Sequence, residues 1–194
     1  AGAASGQVSS GLTGLTYNWL VADAIDGSVQ VRAINADPAK PTISAVSNNF
    51  EIKGRLLLDT PLSTDKLQVD SDVAVKWTPI GTMNTVKIEY STNGFADESQ
   101  TAGILGPAGQ SAANLVSGAS GVQQTFTWRI PNNVGNNVKV RITSNQDPAV
   151  TNVMANAAEI VGWFKVLTPT GGGGQFFEVD GSTVVTWERH GTIA

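Results

Sequence analysis

The feature that most constrains this chain is an internal repeat. The stretch Thr16 to Arg32, TYNWLVADAIDGSVQVR, returns as Thr125 to Arg141, TFTWRIPNNVGNNVKVR, with Trp19 falling on Trp128. The tripeptide DPA at Asp37 recurs at Asp147. EIKGRLLLDTP, from Glu51 to Pro61, matches EIVGWFKVLTP, from Glu159 to Pro169. VDSDVAVKWTPIGT, from Val69, returns as VDGSTVVTWERHGT from Val179, which puts Trp77 on Trp187. The four matches are collinear, and their offsets drift only between 108 and 110 residues. A period of this length marks an array of domain-sized units rather than a solenoid of short ones.

The repeat fixes the expected boundaries. Residues 55–162 form one whole copy, about the size of an immunoglobulin-like domain. Residues 1–54 read as the C-terminal half of another copy and residues 163–194 as the N-terminal portion of a third.

Within the whole copy, apolar residues alternate with polar or small ones at Val73, Val75 and Trp77, and again at Val86, Ile88 and Tyr90. The same holds for Phe126, Trp128 and Ile130, and for Val138, Val140 and Ile142. A period of two in β-branched and aromatic residues predicts half-buried strands. Turn residues separate them at Asn93-Gly94, Pro131-Asn132-Asn133 and Asp147-Pro148. No helical period appears. The expected fold is therefore all-β, a tandem series of immunoglobulin-like antiparallel β-sandwich repeats. Residues 95–124, rich in Gly, Ala, Ser and Gln, read as long loops around one strand near Ile104.

Composition narrows the function classes. Apolar residues make up 41% of the 194 residues, enough for a core, while charged residues are only 14%. The formal net charge is −4, with no basic cluster to meet phosphates, which argues against a nucleic-acid partner. The absence of cysteine removes disulfides, thiol catalysis and cysteine-ligated metals. No apolar run reaches the roughly 18 to 20 residues that span a bilayer. The chain opens at Ala1 without a signal-peptide pattern, as expected of a processed product or a segment of something longer.

The segments VAVKWTPIGTMNTVKIEYSTNG, TFTWRIPNN and VKVRITSNQDPAV together resemble the Kre9/Knh1-type immunoglobulin-like repeat of fungal cell-wall and bacterial surface proteins. The hallmarks are a strand ending in tryptophan, a V-x-I-E-x-S-x-x-G hairpin, an x-W-x-[VI]-P strand and an R-[VI] strand followed by D-P. They fall at Trp77, Val86 to Gly94, Trp128 to Pro131 and Arg141 to Pro148. Two departures are the opening element, only echoed at Thr168-Pro169 and Gly171 to Gly174, and the long insertion after Gly94. The resemblance implies a structural cell-surface module, extracellular and bacterial, with no catalytic residues to carry over.

The residues agree that site chemistry is sparse. His190 is the lone histidine and has Ile80 as its counterpart, so no triad and no histidine-based zinc site can be assembled; it reads as a surface-loop residue. The carboxylate pairs Asp70 with Asp72, Asp97 with Glu98, and Glu51 with Asp59 lack an apolar pocket or a third partner, and the chain is read as not an enzyme. No cofactor is expected. Calcium is the one metal that Asp and Asn near domain junctions suit, and a site would draw on Asp59, Asp65, Asp70 and Asp72, although no D-x-D-x-D-G loop occurs. The run Gly171 to Gly174 reads as a flexible turn and not a phosphate loop.

Five tryptophans sort by the repeat. Trp19, Trp77, Trp128 and Trp187 stand in phase with inward-facing neighbours and are expected in the core. Trp163 has Arg55 as its counterpart and lies where one copy hands over to the next; it is the ligand or interface candidate, a junction-packing residue or a sugar-stacking platform.

A half sandwich exposes its inner face and unpaired strand edges. The flanks therefore imply either a longer chain whose next copies complete them or subunits that complete one another head to tail. The aligned positions leave residues 85 to 109 without a counterpart in a composite, which favours the longer chain. The expected function is a structural surface protein forming an array, filament or surface layer, with copies of itself as partners. The alternative is a carbohydrate-binding or adhesin module of a larger surface protein, with cell-wall glycan as partner.

Overall fold

Alternating burial, the physical counterpart of the period-two pattern, runs along the central strands of the computed structural model, which describes residues 6–40 and 43–193. The outer limits Ala1 and Ala194 of the flanking segments lie outside the described residues. The fold is nearly all-β. In chain order the strands are β1 (Asp26–Val29), β2 (Arg32–Ile34), β3 (Ser44–Val46), β4 (Phe50–Ile52), β5 (Arg55–Thr60), β6 (Lys66–Gln68), β7 (Asp72–Ile80) and β8 (Thr85–Ser91). They continue with β9 (Thr101–Gly103), β10 (Leu115–Val116), β11 (Gln124–Arg129), β12 (Gly135–Ser144), β13 (Thr151–Val153), β14 (Ala158–Val161), β15 (Trp163–Thr168) and β16 (Thr186–His190). A 3-10 turn at Glu98–Gln100 is the one helical element among the described residues. None of them forms a helix long and apolar enough to cross a membrane.

Two sheets share the central core. One has the order β11-β7-β5; the other runs β10-β8-β12-β14-β6, with β13 on β12 and β9 on β8. Val75 and Trp77 from the first sheet and Ile88, Val140 and Ile160 from the second meet in one buried cluster. Every buried member of that cluster lies between Leu56 and Ile160. Trp128 packs against Tyr90 with ring centroids 5.2 Å apart, and Asn133 Nδ2 donates to the Tyr90 hydroxyl at 2.8 Å. The Trp77 indole donates to the Ser117 carbonyl at 3.0 Å, so both central tryptophans have a polar partner or an aromatic neighbour as well as apolar cover.

Two details depart from the sequence reading. The sandwich is not wholly antiparallel: β6 pairs with β14 in parallel, Leu67 opposite Ile160, because the chain leaves β5 in one sheet and enters the other before turning back. The strand expected near Ile104 ends just before it, at Gly103, and a second short strand, β10, follows. Ile104 itself is fully buried, its amide donating to the Ile88 carbonyl, while Ile88 N–H donates to the Ala112 carbonyl. The insertion thus folds over the outer edge of β8 and covers it.

Pairings of the central unit recur in the flanks. Trp163 pairs with His190 and Val166 with Trp187, as Arg55 pairs with Ile80 and Leu58 with Trp77, and each ladder slips register at the following step. On the other side, Asp26 pairs with Ile52 and Val29 with Phe50, as Gly135 pairs with Ile160 and Val138 with Ala158. Arg32 opposite Val46 matches Arg141 opposite Val153. The unusual backbone also recurs: Asp70 and Asp180 have φ of 61° and 63°.

The four tryptophans expected in the core divide accordingly. Trp77 and Trp128 are buried, but Trp187 is exposed and Trp19 only half-buried, edge-on to Phe50 at 6.2 Å. Alternation sets which way a side chain faces, whereas burial needs a second sheet. β16 has β15 on one side and no strand on the other, and residues 15–20, the counterpart of β11, form no strand.

Candidate functional site

The richest chemistry outside the core lies where the central unit meets the tail, residues 163–193. Trp163 opens β15, and its indole Nε1 donates to the Val69 carbonyl at 2.8 Å. Its ring lies flat on the His190 imidazole, centroids 3.9 Å apart and planes 3° from parallel. His190 Nδ1 stands 3.1 Å from Asp70 Oδ2, and Nε2 stands 3.6 Å from Glu188 Oε2. His190 is thus the last residue of a strand and a packing partner, not the surface-loop residue that its isolation in the sequence suggested.

A polar clasp closes the same junction. Thr192 N–H donates to Asn132 Oδ1 at 2.7 Å, and Asn132 Nδ2 donates to Thr192 Oγ1 at 3.1 Å. Gly162 admits no side chain, because a Cβ there would come within 2.6 Å of the His190 carbonyl oxygen and would also meet Ile193. Gly191 has φ of 90° and packs on Gly162, so the turn needs glycine for conformation and for space.

The junction between the head, residues 6–54, and the central unit uses the same positions. Thr82 N–H donates to Asp23 Oδ1 at 2.9 Å and Thr82 Oγ1 donates to Asp23 Oδ2 at 2.7 Å. In the repeat, Asp23 aligns with Asn132 and Thr82 with Thr192. The hydrogen bonds from the Thr82 hydroxyl and then its amide hold the Asp23 carboxyl below the usual carboxylate range. Lys53 bridges Glu51 at 2.9 Å and Asp147 at 3.2 Å across this junction, and those contacts, Glu51 first, raise its ammonium above the ordinary value. A cleft of about 210 Å³ remains, lined by Ile25, Gly54, Met83, Gln146 and Val150 among others.

The carboxylates singled out in the sequence have separate duties. Asp59 Oδ2 accepts from Thr78 Oγ1 and Gln123 Nε2, and Asp65 accepts from the Leu62 amide. Asp70 faces His190, and Asp72 pairs with Arg129 at 3.0 Å. The four are not gathered, and no group of three or more potential metal ligands occurs among the described residues. Asp97 caps the 3-10 turn through Ser99, which holds its carboxyl low, and Glu98 is held low by Arg141 at 2.8 Å. Glu51 is committed to Lys53.

Arg141 also pairs with Glu89 at 3.0 Å and lies over the Phe95 ring at 4.4 Å. It therefore ties the insertion to the sheet rather than offering a free cation to the open groove of about 440 Å³ beside it. Sequence reasoning identified Trp163 but missed Asp23, Thr82, Asn132 and Thr192. Their only signal was that both members of each clasp align in the repeat. No protein-family model matches the chain, and no curated protein matches it.

Proposed function

We propose that this chain is a structural segment of an extracellular, cell-surface protein, built from tandem immunoglobulin-like repeats of the Kre9/Knh1 type and assembled into an array, filament or surface layer. The observation that carries this reading is the recurrence of one junction at both ends of the central unit. The clasp Asp23–Thr82 reappears as Asn132–Thr192, and the glycine pair Gly54–Gly81 as Gly162–Gly191. A junction used twice at equivalent positions is a rule for adding the next unit, and units added by one rule generate an extended, regular object. Low charge, absence of cysteine and carboxylates already committed to neighbours suit a scaffold that does no catalysis.

The carbohydrate-binding reading draws less support. Trp163, its best candidate, has one ring face covered by His190 and its indole N–H committed to Val69, which leaves little platform for a sugar. Immunogold labelling with antibody against this segment tests the proposal. Regular labelling of intact, unpermeabilised cells supports it; labelling confined to the interior of sectioned cells contradicts it.

A further inference from the structure

The tail and the head each leave bare the surface that the other's sequence is patterned to cover. In the central unit, Val69, Trp77 and Leu67 are 1%, 2% and 2% exposed, whereas their tail counterparts Val179, Trp187 and Phe177 are 93%, 57% and 54% exposed. On the head, Leu15 and Tyr17, the counterparts of Gln124 and Phe126, are also exposed. The missing neighbours are identifiable because the central unit holds a complete set. There β11 lies on β7, with Trp128 opposite Val73, Phe126 opposite Val75 and Gln124 opposite Trp77. β14 lies parallel to β6, with Ile160 opposite Leu67 and Val161 opposite Gln68.

We infer that the tail of one copy of this chain binds the head of a second copy by strand complementation: residues 15–20 add to β16, and β4 with Lys53 runs beside residues 176–178. This rests on the reading of the chain as a structural repeat module. Transferring the central register puts Trp19 opposite Thr183, Tyr17 opposite Val185 and Leu15 opposite Trp187. It puts Ile52 opposite Phe177. It also places Lys53 opposite Glu178, an opposite-charge pair where the central unit has Val161 and Gln68.

The head cannot serve the tail of its own chain. Head contacts gather at the Ile80 end of β7, through Gly81 and Thr82, and tail contacts gather by its Asp72 end, through Val69 and Asn132. Nine extended residues separate those ends by roughly 30 Å. The absent counterpart of β8 does not break the composite, because β8 lies outboard of β12 and carries β9 and β10 on its far side. Without all three, one sheet ends at the β12 counterpart and three strands still face three.

The chain has no native cysteine, so crosslinking can read the register directly. Thr16 and Thr186 correspond to the directly paired Thr125 and Lys76. A mixture of Thr16→Cys and Thr186→Cys single variants, mildly oxidised, is expected to give a disulfide-linked heterodimer, and the double variant a ladder of higher species. The mixture of Thr16→Cys with Ser182→Cys, out of register, is expected to give neither. Trp187→Asp in the Thr186→Cys chain is expected to abolish the heterodimer while the thermal melt of the central unit is unchanged. No in-register crosslink between folded chains overturns the proposal, as does equal crosslinking of the out-of-register mixture. Either failure leaves the cell-surface reading to its own labelling result.

Discussion

Trp163 lies flat against His190, 3.9 Å away and 3° from parallel, at the pair of positions where Arg55 faces Ile80 one repeat earlier. The backbone pairing is the same at both junctions, so the substitution changes what glues the units and not how they are aligned. Trp163→Ala removes the stacked face and the hydrogen bond to Val69, which together are worth about 1–3 kcal/mol. Amide exchange in Phe164 to Leu167 should then accelerate, with the central unit's exchange unaffected. Unchanged protection in β15 would show that the stack does not hold the tail.

The tryptophans of the repeat should differ sharply in their effect on stability. Trp128→Ala or Trp77→Ala opens a large hole in the central core and should cost about 3–5 kcal/mol in denaturant unfolding. Trp187→Ala, at the equivalent but uncovered position, should change the stability of the dilute chain by no more than about 0.5 kcal/mol. Equal losses at Trp77 and Trp187 would mean that the tail is covered in solution.

The two clasps should respond differently to acid. Thr82 holds the Asp23 carboxyl below its usual range, so this clasp is fully present above the ordinary aspartate pKa and is lost as pH falls through the lowered value. Asn132 presents an amide at the equivalent place and does not titrate. Acidification should therefore release the Thr82 amide while the Thr192 amide stays protected, and Asp23→Asn should remove the difference. Amide exchange followed against pH, corrected for the intrinsic rate, checks both.

Calcium should leave the thermal midpoint where it is. Asp59, Asp65, Asp70 and Asp72 are held apart by Thr78 and Gln123, the Leu62 amide, His190 and Arg129 respectively. A preformed site for a hard cation needs six to eight converging oxygens. A calorimetric scan with and without millimolar calcium is the check, and a rise of several degrees would show a site formed by rearrangement.

Much of this was legible in the residues, and the parts that were not share a cause. Period-two runs located β7, β8, β11 and β12 because each has one face on the core. The same period could not distinguish Trp77 from Trp187, since it reports facing and not cover. The strands β9 and β10 carry little pattern because they are short and draped over an edge, and Ile104 and Ala112 alone anchor them in the core. The parallel course of β6 is a matter of topology, which three residues cannot announce. His190 looked idle because its partners Trp163 and Asp70 are brought to it only by the fold.

The most direct test of the account is the intact mass of the native protein, taken with negative-stain images of the same sample. The account predicts extended beaded fibres or sheets, with a mass several times 20.2 kDa or a series built on that unit. A monodisperse 20.2 kDa species, with neither fibres nor sheets at any concentration, would contradict it.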